Sequence, residues 1–132
     1  MNPSKLTIGC EALGGTDWGK VSIHSIKKAI ETSLEMGINS FDTASVYGLG
    51  LSEKRLSSIL GKKRHEMFIA SKGGLVWRKN QKNIRSIIYK DSSPKQLRRD
   101  IQSSLKRLRL EHRISKYFKS DETVSYTHLT LP

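Results

Sequence analysis

Several features that would place a chain outside the cell or in a membrane are missing from these 132 residues. There is a single cysteine, Cys10, so no internal disulfide can form, and the sequence reads as that of a cytoplasmic protein. Long apolar runs are absent as well. The longest are a few residues, such as Met67-Phe68-Ile69-Ala70, whereas a membrane span needs about 20. No basic start, apolar stretch and small-residue cleavage site follows Met1, so no secretory leader is expected. Low-complexity tracts are lacking, and His24 and His65 have no metal-ligand spacing, which leaves them as surface groups. Acidic residues are scarce, 12 against 24 Lys and Arg. Hydrophobic residues make up 36% and mean hydropathy is −0.50. The length suits one domain with a modest core.

The charge that is present is unevenly spread. Residues 1–77 carry ten Lys or Arg against seven acids, whereas residues 78–119 carry fourteen against three, a local net of +11. Such a block could hold nucleic acid through its phosphates. Its basic residues interleave with a regular apolar stripe, however, which is the pattern of a solvated helix face plus a basic loop.

Apolar spacing then organises the chain. Leu6–Cys10 reads as a short buried strand, and Gly14 and Gly15 punctuate a loop. Ile23, Ile26, Ile30 and Leu34 recur at helical spacing, with Ser22 as N-cap and Gly37 just past the end. Ile38–Thr43 forms a second strand. Ser52–Leu60 forms a second helix, stopped by Gly61, and Met67–Ser71 a third strand ending at Lys72. Residues 73–91 read as a long basic loop. Ser93-Pro94 opens a third helix, with Leu97, Ile101, Leu105 and Leu108 on one face. Strands alternating with helices imply parallel βαβ units with right-handed crossovers. Physics alone leaves two architectures, an open doubly wound sheet or a (β/α)8 barrel.

Phe41-Asp42-Thr43-Ala44-Ser45-Val46-Tyr47-Gly48 lies where the second strand ends, and Lys72 where the third does. Sites in βα folds gather at these carboxyl ends. Neighbouring strands are about 5 Å apart, so Asp42, Tyr47 and Lys72 can converge. Tyrosine titrates near about 10, too high for acid–base work at neutral pH. A lysine beside it stabilises the phenolate, and a carboxylate holds that lysine charged and in place. Taken singly, each residue has a plainer role: Asp42 as a cap, Tyr47 as packing, Lys72 as a solvated strand end. Cys10 reads as a small core residue.

Together, Gly37 to Ala44, Tyr47-Gly48, Ser52-Glu53 and Leu60-Gly61 resemble the aldo-keto reductase signature. Phe68-Ile69-Ala70-Ser71-Lys72 resembles that family's third strand with its active-site lysine, and Ser93 to Leu108 its third helix. Leu13-Gly14-Gly15-Thr16-Asp17-Trp18-Gly19 is similar to the loop after its first strand, near the nicotinamide. The resemblance spans residues 6–110. It implies an α/β fold, a partial (β/α)8 TIM barrel comprising the first three βα units only. It also implies NADPH/NADP+ as cofactor and a small-molecule carbonyl substrate, an aldehyde or ketone reversibly reduced to an alcohol. By position, Tyr47 matches the proton donor, Lys72 the residue that tunes it and Asp42 the carboxylate paired with that lysine. Gly15, Thr16, Trp18 and Asp42 match cofactor-binding positions, although Trp18 also suits rim packing and Gly14-Gly15 any tight turn.

After Leu110 the chain departs from the family. The expected apolar fourth strand ending in a catalytic histidine is replaced by Glu111-His112-Arg113-Ile114-Ser115-Lys116-Tyr117-Phe118-Lys119-Ser120, too polar for a buried parallel strand. Residues 113–120 can be encoded by bases that, read two positions later, spell Tyr-Ile-Glu-Ile-Phe-Gln-Ile, so 111–123 is expected to be frameshifted. Residues 124–132 can be encoded by a string that resembles a transposase-type sequencing adapter; on this reading His128 is not a displaced catalytic residue. The short hairpin that often caps the family's barrel floor is likewise not expected within these residues. Three strands would leave both sheet edges open, so an unstable product with little reductase activity is expected, the activity belonging to the intact parent. Two other classes remain: a catalytically dead NADPH-sensing subunit, which would not need both Tyr47 and Lys72, and a basic nucleic-acid-binding module, which would need aromatic platforms that the block lacks.

Overall fold

The computed structural model describes residues 2–15, 19–78, 87–110, 116–120 and 123–129. Its elements in chain order are β1 (Ile8–Gly9), α1 (Ile23–Glu35), β2 (Ser40–Asp42), α2 (Leu51–Leu60), β3 (Phe68–Lys72), β4 (Leu75–Arg78), β5 (Ile87–Lys90), α3 (Pro94–Leu108), β6 (Lys116–Ser120) and β7 (Thr123–Leu129). Short 3-10 turns at Glu11–Gly14 and Gly61–Glu66 lead out of β1 and into β3.

The helices begin and end where their caps dictate. Ser22 accepts a hydrogen bond from the Ser25 amide at α1, and Ser93 accepts one from the Gln96 amide at α3, with Pro94 in the first turn. Gly61 ends α2 with φ 54°, and Gly37, past α1, has φ 81°. On α1 the apolar stripe meets the core chiefly through Ile30, with Ile26 and Leu34 partly buried.

β1, β2 and β3 are parallel neighbours joined by α1 and α2. Register sets the faces: Phe41 pairs Ile69 while Asp42 pairs Ala70. Side chains alternate across a strand, so Phe41, Ile69 and Ser71 share the face beneath the helices, where all three are buried. There they join Leu13, Leu56, Leu60 and Leu108. Asp42, Ala70 and Lys72 share the opposite face, which is only half covered.

Three expectations are corrected. β1 is two residues long and Leu6 is 66% exposed, because an edge strand with one neighbour is held only where it pairs. The loop expected over 73–91 contains an antiparallel hairpin, β4 with β5, pairing Leu75 with Lys90 and Arg78 with Ile87. Finally, residues 116–120, read as too polar for a parallel strand, do form one: β6 runs parallel to β3, so the β3 edge is paired rather than open. The backbone ladder on β3 accepts any extended partner, whatever its polarity. β7 then pairs β6 antiparallel.

Candidate active site

The register places Lys72 two residues beyond the partner of Asp42 on the same face. Lys72 Nζ accordingly forms an ion pair with Asp42 Oδ1. The same ammonium donates to the Thr43 carbonyl at 3.1 Å and to the Tyr47 hydroxyl at 3.2 Å, and lies 4.9 Å from the Tyr47 ring centroid. Its three donors thus converge on three acceptors from one loop and strand end.

Tyr47 reaches this point because the chain turns tightly after β2. Its amide bonds the Ala44 carbonyl at 3.2 Å, and Gly48, Leu49 and Gly50 that follow are all left-handed. Gly14 and Gly48 pack backbone to backbone, and a Cβ added at Gly14 would lie 2.6 Å from the Gly48 nitrogen. Glycine at both positions therefore locks the loop after β1 against the loop bearing Tyr47. Ser45 Oγ donates to the Lys72 carbonyl at 3.2 Å, tying that loop to β3.

Beneath the site the first turn of α2 holds the strand ends. Ser52 Oγ donates to the Cys10 carbonyl at 2.6 Å and lies 2.8 Å from Thr43 Oγ1. Glu53, fully buried, accepts from Ser71 Oγ at 2.6 Å and from Arg107 Nε on α3. The sequence singled out Ser52-Glu53 within the signature without a role, and it missed Ser45, Ser71 and Arg107. A glutamate in the first turn of a helix ordinarily reads as a solvated dipole partner. Its burial follows from the facing Ser71 and Arg107, distant in sequence.

Electrostatics favour a charged lysine. Burial pushes the Lys72 ammonium down, but the hydrogen bond and charge of Asp42, with Tyr47 adding to them, outweigh it and leave its pKa raised above the ordinary 10.5. Burial pushes the Cys10 thiol up to about 12, Asp42 adding to the effect and Lys72 opposing it.

Of the expected site residues, the structure brings Asp42, Tyr47 and Lys72 together. Gly15 closes the turn after β1 in the left-handed region, φ 72°, beside Arg55, which donates to the Leu13 carbonyl at 2.6 Å. Thr16 and Trp18 lie outside the described residues.

Known proteins resemble this chain in sequence and in fold. The Aldo/keto reductase family model matches residues 5–122. The chain is 30% identical over 114 residues to Aldo-keto reductase YhdN of Bacillus subtilis, covering 85% of this chain and 33% of the relative. It is 31% identical over 118 residues to the NADH-specific methylglyoxal reductase of Escherichia coli, covering 83% of this chain and 36% of that protein. Among solved structures it superposes on the glycerol dehydrogenase AKR11B4 from Gluconobacter oxydans with a TM-score of 0.72 and 34% identity, covering 92% of this chain and 37% of that one. The holo form of aldo-keto reductase AKR11C1 from Bacillus halodurans gives 0.69 and 27%, with 89% and 36% covered. The chain belongs to the aldo/keto reductase family, and its three βα units are the first part of that family's barrel. It spans about a third of the length of the relatives it matches. Among the described residues no helix is long and apolar enough to cross a membrane.

Proposed function

We propose that this chain supplies the acid–base group of an NADPH-dependent reductase that converts an aldehyde or ketone to an alcohol. The single observation that carries the reading is the Lys72 ammonium held between the Asp42 carboxylate and the Tyr47 hydroxyl. The half-open face of the sheet suits a bound nicotinamide. Asp42 has a side chain 42% exposed there, and Gly9, paired with Asp42, would have nothing within 4 Å of an added Cβ. Gly15, Thr16, Trp18 and Asp42 are the residues that would hold the cofactor.

The reduced nicotinamide, when bound, supplies the hydride that adds to the carbonyl carbon. Tyr47 gives its phenolic proton to the carbonyl oxygen, so carbon gains two electrons and oxygen the balancing proton. Lys72 stabilises the negative charge left on the phenol oxygen, and Asp42 keeps Lys72 charged and aimed. The relatives' names direct the first substrates to short carbonyls such as methylglyoxal and to the oxidation products of polyols.

The test is steady-state turnover by the parent protein with NADPH and, separately, NADH. Tyr47→Phe is expected to lower kcat by about 10²-fold or more while leaving cofactor fluorescence titrations little changed. Turnover undiminished in the variant would sink the assignment of Tyr47. Cofactor binding with no turnover of any carbonyl would favour a sensing subunit instead.

A further inference from the structure

On the outer side of the sheet, α2 and α3 flank a cavity of about 500 Å³ lined by Leu49, Lys54, Ser103, Lys106, Arg107 and Arg109. Four of these six side chains are cations and none is a carboxylate. Arg107 is already committed through Nε to the buried Glu53, so Lys54, Lys106 and Arg109 leave the hollow with positive charge in excess. Lys54, Lys106 and Arg109 are exposed along the rim of this hollow, and cations gathered on one concavity raise the local concentration of anions.

The backbone points to the same place. Among the described residues, two non-glycine positions have positive φ, Leu49 at 53° and Arg109 at 52°, and both line this cavity. Arg109 is the left-handed C-cap that ends α3, and Leu49 sits between Gly48 and Gly50 in the turn before α2, so two chain reversals fixed by the fold frame the hollow. Gly50, with φ 90°, lets Arg107 lie against the turn, since a Cβ there would come within 2.7 Å of the Arg107 Cδ. The guanidinium is thereby fixed, with its carbon 5.8 Å from the Trp77 ring centroid.

We propose that this groove is an anion site for a small phosphorylated ligand carrying two or more negative charges. The volume falls in the range of small-molecule sites, about 300–1,000 Å³. The cations come from two helices and the turn after α3 and close on one hollow. A nucleic-acid track would instead extend along a surface with successive aromatic platforms. Leu49 lies two residues past Tyr47, so the site adjoins the reactive loop without using any of its acid–base side chains.

Inorganic pyrophosphate is the probe. It is titrated into the 132-residue chain at micromolar concentration and physiological salt, with tryptophan fluorescence as readout because Trp77 borders Arg107. Saturable binding is expected, weakened about tenfold in the Lys54→Gln/Lys106→Gln double variant. It should be unchanged in Lys27→Gln/Lys28→Gln, which removes the same charge from α1. All four lysines are exposed, and circular dichroism verifies that the helices survive. Absence of saturation, or equal weakening in both double variants, would overturn the proposal. So would tighter binding of a single-stranded oligonucleotide that depends on Lys54 and Lys106, which would assign the groove to nucleic acid.

Discussion

Lys72 experiences opposing pulls, burial against the ammonium and two oxygen partners for it, and the partners prevail. The consequence reaches beyond catalysis. A lysine whose pKa is raised on folding contributes stability that is fully present below its unfolded value, about 10.5, and is lost as pH climbs through the folded value. Urea denaturation of the chain and of Lys72→Met, run from neutral to strongly alkaline pH, should therefore show a constant gap at neutrality that narrows above that point. A gap that persists unchanged through the alkaline range would mean that the Asp42 and Tyr47 contacts contribute nothing to folding. Cys10 offers a second check at this scale. Its thiol is 2% exposed and pushed up to about 12, so the thiolate that alkylating reagents require is nearly absent at pH 8. Iodoacetamide is expected to label Cys10 only as fast as the chain unfolds; rapid labelling of the native chain would contradict its place in the core. The Asp42, Tyr47 and Lys72 positions were legible because strand-end position and family motif agree. Gly15 was legible for its turn conformation, whereas contacts of Thr16 and Trp18 fall outside the described residues.

Among elements, α2 has the most varied duties, since its first turn reaches the residues that follow β1 and β2 through Ser52, and β3 and α3 through Glu53. Glu53 is fully buried and Arg107 has a side chain 15% exposed, so removing the carboxylate leaves a mostly buried cation without its partner. Glu53→Ala is expected to cost about 3 kcal/mol in urea denaturation, with much of it recovered in Glu53→Leu/Arg107→Met, where both charges leave together. A loss under about 1 kcal/mol would show the pair to be no stronger than a surface one. The helices themselves were readable from caps and periodicity: Ser22, Ser93-Pro94 and Gly61 mark boundaries that the structure reproduces within a residue or two. The hairpin was not readable. Leu75-Val76-Trp77 and Ile87-Ile88-Tyr89 are β-formers, but the basic residues between them obscure any alternation, and the pairing that makes them strands is antiparallel within a parallel context.

For the molecule as a whole, the two faces of the sheet differ sharply. The helix face is sealed by Phe41, Ile69, Leu56 and Leu108, whereas Asp42, Ala70 and Lys72 look onto a half-open surface. β6 supplies β3 with a parallel neighbour, but β7 returns antiparallel, and a (β/α)8 barrel has only parallel strands. β7 thus has no counterpart in the barrel that the first three units begin. We propose that residues 111–123 are frameshifted and 124–132 adapter-derived, with 1–110 as the folding unit, although the family model runs on to residue 122. If the boundary is right, a chain ending at Leu110 should keep the helical circular dichroism and thermal midpoint of the 132-residue chain. The source locus, sequenced past codon 110, should continue in frame into an apolar Tyr-Ile-Glu-Ile-Phe-Gln-Ile strand. Loss of cooperative melting on truncation would instead make the β6–β7 pair part of the fold, protecting the β3 edge. An unshifted locus encoding the present residues 111–132 would make that protection a property of the natural protein.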